Sequence, residues 1–400
     1  MHTKKQLLVL TSTFPRWKND KEPPFVYELC HQLGKHYKIH VLAPHYPNAL
    51  LTEEINGINV TRFRYFLESY ETLAFQGGIL PNLKASPWKF SLIPFFICAE
   101  LIALICLLRR HPIDIIHAHW LIHQGIIALW ARLFRKTKLF VLCTSHGGDL
   151  FGLKGPFFKC LKRYVLSNAD AVTVVSNTMR DEAHKLIRNK KNIHVIPMGV
   201  DLQKTFIPPA KRQEGNVMLF IGRLVEKKGL KYVLEALPLI FERFPKTKLL
   251  IAGDGTEKSS LIEYAKTLGI IDHLIFLGAV PHDTLPALYQ KADVVVFPSV
   301  IAQDGDREGF GLVLVEALGC ESATISTDLP AMRDIVVNEE NAIVVQQKSP
   351  EQIANAAIRL FENPELRLFL GKNGRRFVLD LFDWSVIANR YDQVIQSLLL

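Results

Sequence analysis

The chain has 400 residues, enough for two domains that each bury a core. With 48% hydrophobic and 22% charged residues and no low-complexity tract, the composition excludes a disordered or fibrous protein. A net charge of +9 favours acidic partners, yet no nucleic-acid motif occurs and the basic residues are not interleaved with aromatics as base-stacking platforms require, which argues against nucleic acid.

The six cysteines, at 30, 98, 106, 143, 160 and 320, form no C-x-x-C pair and mostly lie in apolar runs. They read as buried free thiols in a reducing cytoplasm. His2, Lys4 and Lys5 precede Leu7-Leu8-Val9-Leu10, a run too short for a signal peptide, so a first strand is expected there.

That strand covers 6–10. A loop, Thr11-Ser12-Thr13-Phe14-Pro15, follows, and Pro23-Pro24 opens a helix to about Leu33. Strand-like runs recur at 39–43, 60–63, 113–117, 139–143, 171–175 and 194–196, with helical stretches between several of them. Such alternation predicts a parallel sheet covered on both faces, with ligands beyond the carboxyl ends of its strands. His117, His119 and Trp120 fall at one such end, and His146-Gly147-Gly148-Asp149 at another. Two histidines without a carboxylate motif make a poor metal site.

Two segments bear on membranes. Residues 92–108 are nearly all apolar, broken by Pro94 and Glu100 and followed by Arg109-Arg110. A crossing there would strand sheet strands on opposite sides, so a buried or interfacial helix is expected. Phe157, Phe158, Leu161 and Val165 repeat at helical spacing among Lys154, Lys159, Lys162 and Arg163. That is a basic amphipathic helix, either a solvated face over a core face or a dock for anionic lipid.

Pro208-Pro209 and several charges mark 206–215 as the linker. A strand at 217–221 then leads into Gly222-Arg223-Leu224-Val225-Glu226-Lys227-Lys228-Gly229 and a helix from about Leu230. A basic pair on the loop after a sheet's first strand lies where α/β folds bind phosphate. Strands at 249–252, 274–277, 294–297, 322–326 and 343–345 complete a second sheet. Gly253-Asp254-Gly255 is a weak dinucleotide signal, since the third glycine is missing.

After the strand at 294–297 comes Gln303-Asp304-Gly305-Asp306-Arg307-Glu308-Gly309-Phe310-Gly311-Leu312, then an apolar run holding Glu316. Glycines before a helix start let backbone N–H groups and the positive helix end approach an anion. Glu316 inside an apolar helical run needs a partner, and two ligand hydroxyls would serve. No Asp-x-Asp metal site stands in a suitable context.

The spacing from Glu308 to Glu316 resembles the E-x7-E motif of retaining glycosyltransferases of family 4, and the preceding Asp-Gly-Asp-Arg-Glu-Gly is similar to members that build bacterial exopolysaccharide and lipopolysaccharide. The resemblance covers nearly the whole chain, strongest between Gly222 and Glu316. It implies an α/β GT-B fold: two facing Rossmann-like doubly wound domains with a cleft between them. The expected division is an acceptor-side domain at 1–205, a linker at 206–215, a nucleotide-sugar domain at 216–380 and a terminal helix at 381–400 returning to the first domain.

The resemblance also implies roles. Arg223 and Lys228 would hold the donor diphosphate without a metal, and no cofactor is expected beyond a UDP- or GDP-sugar as substrate. Glu316 would accept from the ribose and Glu308 from the sugar. Backbone N–H groups of Phe310, Gly311 and Leu312 would position sugar and phosphate. Gly253 and Asp254 would lie beside the nucleotide and Val280 against its base, while His146 would reach the sugar. The family often carries Gly-Gly in its first loop, where this chain has Lys21-Glu22-Pro23-Pro24-Phe25.

The expected partners are the donor, a glycan or lipid-linked acceptor, and an anionic membrane surface met through Lys159, Lys162 and Arg163. The expected location is cytoplasmic or peripheral on the inner face of the plasma membrane. Oligomeric state stays open. So do other activities on the same fold, a nucleotide-sugar 2-epimerase or a sugar phosphorylase, and a non-catalytic membrane-associated scaffold.

Overall fold

Two parallel sheets organise the chain. The computed structural model describes residues 4–17, 20, 25–75, 78–187, 192–211 and 215–400. The contents of the first loop from 21 to 24 therefore lie outside the described residues. The chain divides into two units, 1–197 with 387–400, and 198–386.

In the first unit the strands are β1 (Gln6–Leu10), β2 (Lys38–Pro44), β3 (Thr52–Ile55), β4 (Ile58–Phe63), β5 (Ile115–His119), β6 (Phe140–Ser145), β7 (Ala171–Val174) and β8 (Ile193–Val195). Their order is β3-β4-β2-β1-β5-β6-β7-β8, parallel except for β3 against β4. The β3–β4 hairpin was not expected from the apolar runs, because β3 is polar and half exposed. Its signal was Asn56-Gly57, whose φ values of 49° and 81° suit a two-residue hairpin turn.

β5 begins and ends two residues later than its apolar run indicates. His117 and His119 thus lie within the strand, fully buried, rather than beyond its end. The apolar segment ahead of β5 forms the helix Ile93–Arg110, which turns Phe96, Glu100, Leu104, Leu107 and Leu108 inward.

The second unit holds β9 (Val217–Ile221), β10 (Lys248–Ala252), β11 (Leu274–Gly278), β12 (Val294–Phe297), β13 (Ala323–Thr327) and β14 (Ile343–Val345) in the order β11-β10-β9-β12-β13-β14, all parallel. Runs such as Val294–Phe297 are buried on both faces, as a helix-covered parallel sheet requires. The chain winds outward from β9 to β11, then returns to place β12 on the other side of β9. This reversal opens a crevice at the carboxyl ends of β9 and β12, the place where open α/β sheets bind ligands.

By packing, the crossing between units falls at Pro197, upstream of the expected linker at 206–215. Leu202 and Phe206 are buried in the second unit, and Arg375 donates to the carbonyls of Leu202, Phe206 and Gly319. Apolar anchoring thus decides the boundary more than the proline pair does. The last helix is Trp384–Leu399, and its residues from 387 onward belong to the first unit. There Tyr391 lies 3.4 Å from Thr144 Oγ1, and Tyr37 donates to Asp392 at 2.6 Å.

Candidate functional site

At the switch point of the second sheet, the loop after β9 and the loop after β12 are laced together. Val300 N–H donates to Lys227 O at 2.8 Å, and Gln303 N–H donates to Glu226 Oε1 at 3.0 Å. Two ion pairs close the same seam: Lys227 with Asp306 at 3.2 Å and Lys228 with Glu308 at 3.2 Å. Gly229 makes the approach possible. Its φ is +67°, and a Cβ there would sit 2.0 Å from Pro298 O.

The electrostatics follow from this seam. Burial opposes charge on Glu308, but Lys228, Lys227 and Arg223 together outweigh it and hold the carboxyl below its ordinary range. Arg223 is exposed and makes no ion pair among the described residues. The helix Leu312–Gly319 starts beside these groups, capped by Gly311. Leu314 and Val315 bond back to Gly311 O, whereas the N–H groups of Gly311, Leu312 and Val313 take no protein acceptor among the described residues. Free N–H groups, a helix start and surplus cations make an anion site. Phe310 itself is core, 5.7 Å from the Phe382 ring, so only its backbone faces this place.

Glu316 lies one turn into that helix and is 1% exposed. The structure gives it protein partners, so its burial does not depend on ligand hydroxyls alone. His282 Nε2 donates to Oε1 at 2.9 Å, and the Tyr289 hydroxyl reaches Oε2 at 2.9 Å and Val313 O at 3.0 Å. The phenol is shared between two acceptors, so the carboxylate keeps acceptor capacity. Burial and Glu316 push the Tyr289 hydroxyl well above its ordinary value.

The remaining donor-side residues sit on adjoining loops. Gly253 N–H donates to Gly278 O, and a Cβ at Gly253, with φ +152°, would strike Gly222 O at 1.9 Å. Leu224 N–H donates to Asp254 O, tying the turns after β9 and β10. Asp254 is exposed and pairs with Lys258 at 3.0 Å. Val280 is half-buried just past β11.

His146 belongs to the first unit and is described there. Its Nε2 meets His119 Nδ1 at 2.8 Å, and its ring packs 5.1 Å from Trp120 and 5.0 Å from Phe25. His117 Nε2 meets Thr144 Oγ1 at 2.7 Å. Burial drives His117 and His146 down to about 3, and His119 well below its ordinary value. All three are neutral hydrogen-bonding groups near pH 7. Asp149 braces the turn: Oδ2 accepts from Leu121 N–H at 2.6 Å and Oδ1 from Ser145 at 2.8 Å.

The basic helix expected to dock on lipid, Pro156–Asn168, departs from expectation. Lys162 is buried and donates to the carbonyls of Leu150 and Leu153, so it faces the fold. Lys159 and Arg163 remain exposed. Helical periodicity placed Lys162 among the cations, but its long stem lets it cap the carbonyls of the preceding turn.

Residues 202–377 match the family described as Glycosyl transferases group 1, and residues 24–204 match Glycosyltransferase Family 4. The chain belongs to this glycosyltransferase family. Over 300 residues it is 26% identical to the N-acetyl-alpha-D-glucosaminyl L-malate synthase of Bacillus anthracis, covering 73% of this chain and 76% of that protein. Over 292 residues it is 27% identical to the GDP-mannose-dependent alpha-(1-6)-phosphatidylinositol monomannoside mannosyltransferase of Mycobacterium tuberculosis, covering 70% and 75%. The fold matches sucrose-phosphate synthase from Thermosynechococcus elongatus with a TM-score of 0.78 at 21% identity, over 99% of both chains. It also matches Anabaena HepE, solved with UDP, with a TM-score of 0.73 at 17% identity, over 98% of this chain and 100% of that one.

The glycosyltransferase thus has a two-domain GT-B fold. Within its second unit the structure brings Arg223, Lys228, Glu308 and the start of the Glu316 helix to one sheet edge. His282 and Tyr289 were missed as partners of Glu316. No local spacing points to them, since they lie 34 and 27 residues away in sequence.

Proposed function

We propose that this glycosyltransferase moves a hexose from a UDP- or GDP-sugar to an acceptor hydroxyl with retained anomeric configuration. The acceptor is a lipid-linked or polysaccharide precursor of cell-envelope glycan, and the enzyme works in the cytoplasm. The observation that carries the reading is the cationic seam at the β9–β12 switch point, beside unpartnered helix N–H groups. A nucleoside diphosphate needs such counter-charge as its bond to the sugar breaks.

Arg223 and Lys228 stabilise the departing diphosphate, and the N–H groups of Gly311 and Leu312 supplement them. Glu308 is kept ionised by its neighbours, so it accepts from sugar hydroxyls and offsets positive charge at the anomeric carbon. Glu316 accepts from the ribose with its spare capacity. His146, neutral, hydrogen-bonds a sugar hydroxyl. No nucleophile or deprotonating base is assigned, and the reading requires no metal. The UDP in the HepE structure and the GDP-mannose in the mycobacterial relative's name are consistent with this donor class.

Incubation with a panel of UDP- and GDP-sugars and glycan acceptors, followed by NMR of the product's anomeric proton, tests the proposal. Transfer with retention is expected. A rearranged nucleotide sugar formed without acceptor would replace this reading with an epimerase. No binding of any nucleotide sugar would replace it with a scaffold.

A further inference from the structure

The first unit carries an exposed apolar face that its fold does not use. The segment from Pro87 to Arg110 is apolar enough to cross a bilayer, but only 33% of its most apolar window is buried. It does not span, because Phe96, Leu104 and Leu107 are committed to the unit's core. What remains outside is a stripe: Phe95, Cys98, Ile102, Cys106 and Arg109 follow one another at helical spacing, and all are exposed. The helix's only acidic residue, Glu100, is buried and pairs with His123 at 3.1 Å.

Aromatic rings widen the stripe at its start. Phe95 touches Phe66 at 5.3 Å, Phe66 touches Tyr70 at 6.0 Å, and Tyr70 touches Trp88 at 5.7 Å. All four are at least 40% exposed, as is Phe90 at 57%. A run of contacting rings in water is costly unless something covers it. The other end of the stripe is cationic. Arg109, Arg135 and Lys136 line a cavity of about 280 Å³ with Ile105 and Phe134, and no acidic side chain lines it. Arg135 caps the helix by donating to Leu108 O at 2.6 Å, while Arg109 and Arg110 make no ion pair among the described residues.

We propose that this face, from Trp88 to Lys136, docks the enzyme on an anionic phospholipid bilayer, with the helix Ile93–Arg110 lying along the surface. Aromatic and aliphatic side chains enter the headgroup boundary, and Arg109, Arg110 and Lys136 meet lipid phosphates. Charge complementarity selects this occupant. The cationic end carries no acid with which a second copy could answer it in a two-fold contact, and the exposed acid beside the rings, Glu68, lies 3.7 Å from Arg64. The helix Pro156–Asn168 offers fewer cations for such a contact, since Lys162 is turned inward and leaves Lys159 and Arg163 exposed.

The test is sedimentation of the full chain with phosphatidylcholine vesicles that do or do not contain phosphatidylglycerol. Binding is expected only to the anionic vesicles, and to weaken with salt. Arg109→Ser with Arg110→Ser and Lys136→Ser should lower affinity by roughly a hundredfold, each cation contributing about fivefold. Phe90→Ser with Phe95→Ser should also abolish pelleting, while Lys159→Ser with Arg163→Ser should leave it intact. Nucleotide-sugar turnover measured without vesicles should be unchanged in every variant, which shows folding and reads the transferase proposal separately. The inference is overturned if the wild type stays in the supernatant, or if the first two variants pellet like it. It is also overturned if gel filtration shows a dimer that Phe95→Ser dissociates while vesicle binding persists.

Discussion

At the carboxyl edge of the second sheet, Arg223, Lys227 and Lys228 face Asp306 and Glu308. At the carboxyl edge of the first, His117, His119 and His146 carry polar atoms but no charge. Both clusters hang on loops or strand ends of the same parallel architecture, yet they solve opposite problems. The charged cluster is half-exposed, so its cations survive without full neutralisation and remain available to a phosphate. The histidine cluster is buried at His117 and His119 and half-buried at His146, so protonation is suppressed and the rings act through directed hydrogen bonds. The surplus of cations lies in the second unit and the cluster of neutral histidines in the first.

Removing one cation should break the contrast most sharply. Lys228→Ala is expected to lower turnover by roughly 100-fold or more, the scale of one lost positioned donor, in steady-state assays with the identified donor. Its thermal stability should fall as well, because Glu308 is largely buried and Lys228 is the foremost of the cations that keep it ionised. Near-normal turnover would remove diphosphate stabilisation from this seam.

Acid titration probes the other side. The histidines' folded pKa values lie below their unfolded value near 6.5, so below that value the unfolded chain binds protons that the native one does not. Their contribution to stability is complete above 6.5 and declines as pH falls toward 3, by up to about 1.4 kcal/mol per pH unit for each histidine. Chemical denaturation between pH 7 and 4.5 should show this slope, and His117→Gln should flatten it.

Tyr289→Phe removes a donor from buried Glu316 and should cost about 1–3 kcal/mol in urea unfolding. The smallest effect is expected from Lys227→Ala, less than about 1 kcal/mol, because Asp306 is well exposed. A larger loss there would mean the seam is held by its ion pairs rather than by its backbone bonds.

Much of the fold was legible because buried parallel strands are continuous apolar runs. β1 and β9 match their sequence limits to the residue. The polar β3 was not legible from hydrophobicity, and β5 was displaced because buried histidines extend it. Arg223, Lys228, Glu308 and Glu316 were legible as two short motifs. Lys162 was misread because periodicity assigns a face to a Cα, not to the end of a long side chain.

By itself the sequence determined the alternation of strands and helices, the two glycine-bearing loops and the acidic and basic residues on them. Those are local properties, written in neighbouring residues. Only the tertiary structure decided that Lys228 meets Glu308 across a strand reversal, that Glu316 is held by His282 and Tyr289, and that three histidines pack ring against ring. Each of these joins residues more than 25 positions apart or a group whose charge depends on burial, and neither distance nor dielectric is a property of a linear string.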